Sequence, residues 1–179
     1  VGRDGQAGAG ALGLGDFVLV GFSLGARTAA RAVIAGLAPR RLVLAGLGLH
    51  WLSGWDQRAA FFIDAIDRFD VVKHGDPAFM AVSFMKTMKV DRVAARLLLG
   101  SVDDTRREDL AAITMPTLVL CGRQDSWAPV PQHAAMHALL PGAVFEVIED
   151  AGHMAPMEQP DAVTQALSHW LDTCPGARA

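Results

Sequence analysis

Residues 17–26 read Phe-Val-Leu-Val-Gly-Phe-Ser-Leu-Gly-Ala: an apolar run too short for a helix, a serine flanked two positions away by glycines, and the start of an Ala-rich stretch. A strand that passes into a helix through so short a turn commits this part of the chain to a β–turn–α unit. The helix fits 24–35 and stops at Gly36. Similar aliphatic runs recur at 42–45, 117–121 and 144–148, each bounded by Gly, Pro or charge. None alternates apolar with polar residues, so both faces of these strands are expected to be covered, as in parallel strands between helices. Further helices are predicted over 131–139, which opens at a proline, and over 160–171, which opens Pro-Asp and keeps Val163, Ala166, Leu167 and Trp170 on one face. Strand and helix alternate at both ends of the chain, the pattern of an α/β parallel sheet of about four strands.

Between Trp51 and Thr114 the strand signal vanishes and helical periodicity replaces it, with Asp76-Pro77 as a predicted cap and first helical position. The chain is therefore expected to divide into residues 1–50 (strand, helix, strand), a helical insertion over 51–114, and residues 115–179, which complete the α/β part. The insertion concentrates Trp51, Trp55, Phe61, Phe62, Phe69, Phe79, Met80, Phe84, Met85 and Met88. Some of these are expected to line a pocket, although gluing helices to a core is the commoner use of such residues. Residues 1–15 are rich in Gly and Ala and read as a frayed helix or a lead-in, and no internal repeat is visible.

Composition narrows the functions open to such a chain. A net charge of -3 offers no field to attract phosphate backbones or anionic lipid, so nucleic acid is not expected as a partner. The longest stretch free of Lys, Arg, Asp and Glu, 126–145, carries Pro129, Pro131, Pro141, His133 and His137 and is not expected to span a membrane. Cys121 and Cys174 show neither metal-ligand nor redox spacing, which suits a reducing, cytoplasmic address, and no metal or cofactor is implied. Gly46-Leu47-Gly48 follows a strand, but Trp51 stands where a dinucleotide fingerprint needs its third glycine.

The chemistry concentrates at strand ends. Ser23 sits on the turn after the first strand, where the two glycines admit a strained serine and a close approach of its neighbours, and Ala26 is small for the same reason. That turn exposes the hydroxyl at the positive end of the following helix, where the backbone N–H of Leu24 faces a developing oxyanion. A serine hydroxyl is a poor nucleophile at neutral pH and needs a base, and the base needs an orienting group. Asp125 follows the strand at 117–121, and His153 follows the strand at 144–148. The order Ser, Asp, His, each just past a strand end, brings all three to one edge of a parallel sheet. Asp56 is a rival for the acid, while Glu149 and Asp150 are close to His153 along the chain. His50, His74, His133, His137 and His169 have no comparable pattern and read as surface or packed histidines.

These residues resemble the α/β-hydrolase fold family. Gly-Phe-Ser-Leu-Gly looks like its nucleophile elbow, 117–125 with Trp127-Ala128-Pro129 like its acid strand and loop, and Asp150-Ala-Gly-His153-Met154 like its histidine loop. Residues 51–114 occupy the place of the family's helical cap. The Gly-Arg-Gln-Asp and Gly-His-Met contexts are closest to small, capped, esterase-like members. The resemblance implies a serine hydrolase acting on a small, mostly apolar ester or related acyl substrate, with Ser23, His153 and Asp125 as triad and the Leu24 N–H in the oxyanion hole. Serine at position 23 argues against the dehalogenase and epoxide-hydrolase branches, which attack with a carboxylate.

The family places several strands before its elbow, including a loop that donates a second oxyanion-hole N–H. Only twenty-two residues precede Ser23, and a strand-helix unit returning to a parallel strand needs about thirty. The sequence alone therefore reads as lacking the amino-terminal part of the sheet, with an exposed edge at 17–20. The alternative expectation is a truncated or inactive hydrolase-fold fragment that acts, if at all, in assembly, associating with itself through that strand.

Overall fold

The computed structural model describes residues 15–174. The reading of 1–15 as a lead-in thus falls, apart from Gly15, outside the described residues. The chain divides into two compact units, Val1–Leu52 with Thr105–Ala179, and Ser53–Asp104.

In the first unit all four predicted strands are present: β1 (Val18–Phe22), β2 (Arg41–Ala45), β3 (Thr117–Gly122) and β4 (Val144–Ile148). They pair in parallel in the order β1-β2-β3-β4. Parallel neighbours need a crossover, and helices Leu24–Ile34 and Val130–His137 lie between β1 and β2 and between β3 and β4. Successive side chains on the central strands serve opposite cores. Leu42, Leu44 and Val119 pack with Ala26, Ala29, Ala30 and Val33 of helix Leu24–Ile34 and with Met136 and Leu140. Val43, Ala45, Leu118 and Leu120 pack with Val163 and Trp170 of helix Pro160–Thr173.

Cover on both faces therefore holds for β2 and β3, which are buried throughout, and not for the outer strands. Among the described residues Val18, Val20 and Val144 are 39%, 58% and 44% exposed. An apolar run that ends a sheet reads in sequence like one at its centre.

The second unit is helical: Trp55–Asp67, Phe79–Thr87 and Arg92–Gly100. Its ends are tied by Asp104, whose carboxylate accepts from the N–H groups of Gly54 (3.0 Å) and Trp55 (2.8 Å) and so serves the first turn of helix Trp55–Asp67. Buried Trp55 donates its indole N–H to the Leu99 carbonyl at 2.9 Å. Asp91 caps the third helix, accepting from Val93 and Ala94 at 2.9 and 3.0 Å. The second helix starts at Phe79 rather than at Pro77, because Asp76 accepts from the Ala78 N–H (2.8 Å) in a turn before the helix. Of the apolar residues expected to line a pocket, Trp55 and Met85 are core, while Met80, Phe84 and Met88 recur every four residues as an exposed stripe.

Candidate active site

Ser23 follows β1 with φ 53° and ψ -118°, a conformation that non-glycine residues rarely hold and that costs about 1–3 kcal/mol. Three hydrogen bonds hold it there: its N–H donates to the Ala45 carbonyl at the end of β2 (2.8 Å), and its carbonyl accepts from Ala26 (3.0 Å) and Arg27 (3.1 Å). The flanking glycines are not equivalent. A Cβ on Gly21 would lie 2.5 Å from the Ala26 Cα and 2.5 Å from the Gly25 carbonyl oxygen, whereas one on Gly25 would meet nothing within 4 Å. The expected close approach thus belongs to Gly21 and Ala26, and steric clash at Gly25 is corrected. Leu24 is the first residue of the helix, where a backbone N–H has no acceptor within the helix.

His153 lies in the loop after β4, and its Nε2 is 2.9 Å from Ser23 Oγ. Its Nδ1 is 2.9 Å from Asp125 Oδ2, beyond the end of β3. That loop is pinned from both sides: the Gly152 N–H donates to Glu158 (2.5 Å), and Gln159 Nε2 donates to the Asp150 carbonyl (3.2 Å). It also rests on β3, since a Cβ on Gly122 would lie 2.2 Å from the Gly152 carbonyl oxygen and 2.3 Å from that of Ala151. Only glycine admits backbone that close.

Asp125 is 3% exposed, and its second oxygen is fully used. Oδ1 accepts from the N–H groups of Trp127 (2.9 Å) and Ala128 (2.8 Å), leaving Oδ2 for the imidazole. Burial pushes the carboxyl up, but the hydrogen bonds from His153, Ala128 and Trp127 outweigh it and hold the group below the usual carboxylate range. It stays an anion able to fix the tautomer with the proton on Nδ1, which leaves Nε2 as the acceptor facing Ser23.

The remaining candidates fall elsewhere. Asp56 lies in the first turn of helix Trp55–Asp67, in the second unit. Glu149 is exposed and engaged by Arg123 Nη2 at 2.5 Å. His133 is wholly buried with Nδ1 against the Pro129 carbonyl, and burial pulls its pKa below the ordinary value. Burial, helped by the Asp125 charge, pushes the Cys121 thiol up to about 12, which leaves it inert beneath the site.

Trp127 and Trp51 are visible in the sequence, but their stacking around His153 is not. The Trp127 indole stacks on the imidazole at 5.8 Å between centroids and 21° between planes, Phe22 leans on it at 5.4 Å and 40°, and Trp51 stacks behind Trp127 at 6.4 Å and 10°. Among the described residues no three His, Cys, Asp or Glu side chains group as a metal site, and no helix is long and apolar enough to cross a membrane.

The chain as a whole has relatives among known proteins. The model of the Alpha/beta hydrolase family matches residues 3–166. N-formylmaleamate deformylase of Pseudomonas putida is 30% identical over 92% of this chain, which spans 66% of that enzyme's length. A hydrolase from Pseudomonas aeruginosa superposes with a TM-score of 0.71 at 25% identity, over 95% of this chain and 70% of that one. A thermophilic esterase from Thermogutta terrifontis gives 0.67 at 29% identity, over 91% and 67%.

Proposed function

Starting from a chain that belongs to the alpha/beta hydrolase family, we propose a serine hydrolase that cleaves a carboxylic ester, or a related acyl bond, of a small and mostly apolar substrate. The observation that carries this reading is the pair of 2.9 Å contacts joining Ser23 Oγ to His153 Nε2 and His153 Nδ1 to Asp125 Oδ2. The names of its relatives agree with acyl chemistry: one is a deformylase and one an esterase.

In this reading Ser23 Oγ attacks the acyl carbon while its proton passes to His153 Nε2. The carbonyl oxygen becomes an oxyanion, stabilised by the Leu24 N–H and the positive end of helix Leu24–Ile34. Asp125 stabilises the imidazolium without taking its proton. The intermediate collapses to an acyl-enzyme as Nε2 returns the proton to the departing alcohol. Water then repeats the sequence: Nε2 takes its proton, the hydroxyl adds to the acyl carbon, and the carboxylic acid leaves with Ser23 reprotonated. The helical unit Ser53–Asp104 is assigned as the counterpart of the family's helical cap, and its apolar composition favours a small hydrophobic substrate.

The test is intact-mass analysis after fluorophosphonate treatment, beside hydrolysis of short p-nitrophenyl esters. A single adduct that Ser23→Ala abolishes, together with its turnover, is the expected result. A folded chain that takes no adduct would refute the reading.

A further inference from the structure

Two members of the candidate triad, Asp125 and His153, meet on one residue that the triad does not include. The backbone N–H of Trp127 donates to Asp125 Oδ1 at 2.9 Å. Its indole stacks on the His153 ring. Its carbonyl accepts from Trp51 Nε1 at 2.9 Å and lies 3.1 Å from His50 Nε2. The Trp51 carbonyl in turn accepts from Nη1 of Arg27, a wholly buried arginine one turn along the helix that Ser23 opens. A continuous path therefore joins the nucleophile helix, through Arg27, Trp51 and Trp127, to the acid and the base.

Resting on the triad reading above, we propose that Trp127 is a positioning residue of this hydrolase: its indole face holds the His153 ring in line with Ser23 and stabilises the imidazolium formed when the serine proton moves. A stacked indole fixes the tilt of the imidazole, which two hydrogen bonds at Nδ1 and Nε2 leave free to rock about the line joining them. An aromatic face also attracts a cation, and the ring becomes one only as the reaction proceeds. The benefit therefore falls on the transition state rather than on the bound substrate. Phe22 offers a second face, but at 40° it meets the ring obliquely, and Trp51 keeps the Trp127 plane in place by stacking at 10°.

The experiment compares Trp127→Phe and Trp127→Leu in the full chain. Both keep the backbone N–H to Asp125, but only Phe keeps an aromatic face. Trp127→Leu is expected to lower kcat on p-nitrophenyl esters, and the rate of fluorophosphonate labelling at Ser23, by about three- to ten-fold with KM unchanged. Trp127→Phe is expected to recover most of the loss, which a pure packing role would not produce. In histidine-labelled protein the Cε1 proton of His153 is expected to lose its ring-current shift in the Leu variant and keep part of it in the Phe variant. Should Trp127→Leu lose its cooperative melt, Trp127→Met takes its place with the same expectation. Labelling at an unchanged rate in the variant without a ring, or equal losses with Phe and Leu, would overturn the assignment while leaving the triad standing. Absence of any Ser23 adduct in the unsubstituted chain would overturn the triad and this assignment with it.

Discussion

Gly122→Ala tests how the histidine loop is held against β3. The added Cβ would stand 2.2 Å from the Gly152 carbonyl oxygen and 2.3 Å from that of Ala151, both backbone atoms that no rotamer change can move aside. Ordinary contact begins at 3.4 Å, so loop and strand must separate by about 1.2 Å. Gly152 is covalently joined to His153, so a retreat of that size carries Nε2 from 2.9 Å to about 4 Å from Ser23 Oγ, beyond hydrogen-bond reach. A misplacement of about 1 Å typically costs about 100-fold in rate. Overpacking adds about 1–3 kcal/mol of destabilisation, which lowers the melting temperature of a chain this size by about 2–4 °C per kcal/mol. Stopped-flow fluorophosphonate labelling and a thermal melt read the two effects separately. Labelling within about threefold of the parent rate would mean that the loop shifts without carrying His153, and the argument from backbone contact would fail.

Gly25→Ala is the matching control: with nothing within 4 Å of the new Cβ, inside a helix, it is expected to keep activity and to raise the melting temperature slightly, as a Gly-to-Ala change in a helix does. Asp125→Asn is expected to lower kcat by about 10⁴-fold without unfolding the chain. Its carbonyl would keep the Trp127 and Ala128 donors, turning the amide NH₂ toward Nδ1 and forcing the proton onto Nε2, where it cannot accept from Ser23. An activity loss under tenfold would refute that tautomer argument. Burial pulls the His133 pKa below its ordinary value, an effect that the Pro129 carbonyl and then Asp125 oppose and that His153 and His50 reinforce. A histidine whose native pKa is depressed contributes stability that is full above its ordinary value of 6.5 and lost as pH falls through it toward the lowered native value. His133→Gln is expected to flatten the fall in urea midpoint between about pH 7.5 and about pH 5, and an unchanged slope would remove His133 from the account.

Much of the sheet was legible because each strand is a short aliphatic run closed by Gly, Pro or charge, and those runs survive as β1 to β4 almost residue for residue. Two local misreadings have local causes. Pro77 is a good first helical residue, yet the Asp76 carboxylate reaches the Ala78 N–H and closes a turn first, so the helix waits until Phe79. Gly21 and Gly25 look symmetric about Ser23, yet one faces the backbone of the next turn and the other faces open space, a difference set by the direction in which the helix leaves the turn.

The candidate triad and its aromatic brace differ in legibility for a physical reason. In a parallel sheet every strand ends at the same edge, so a serine, an aspartate and a histidine placed just past three strand ends converge whatever the lengths between them, and chain order alone carries the information. A stack has no such rule. Trp127 meets His153 only because the loop after β3 turns back through the hydrogen bonds of Asp125 to Trp127 and Ala128, and Trp51 meets Trp127 only because the turn at Leu49–Leu52 presents it there. An Asp-Ser-Trp tripeptide marks a tryptophan beside the acid; which face of which ring it covers is decided by loop geometry. That places the proposed control of His153 in side chains other than the Ser, Asp and His themselves.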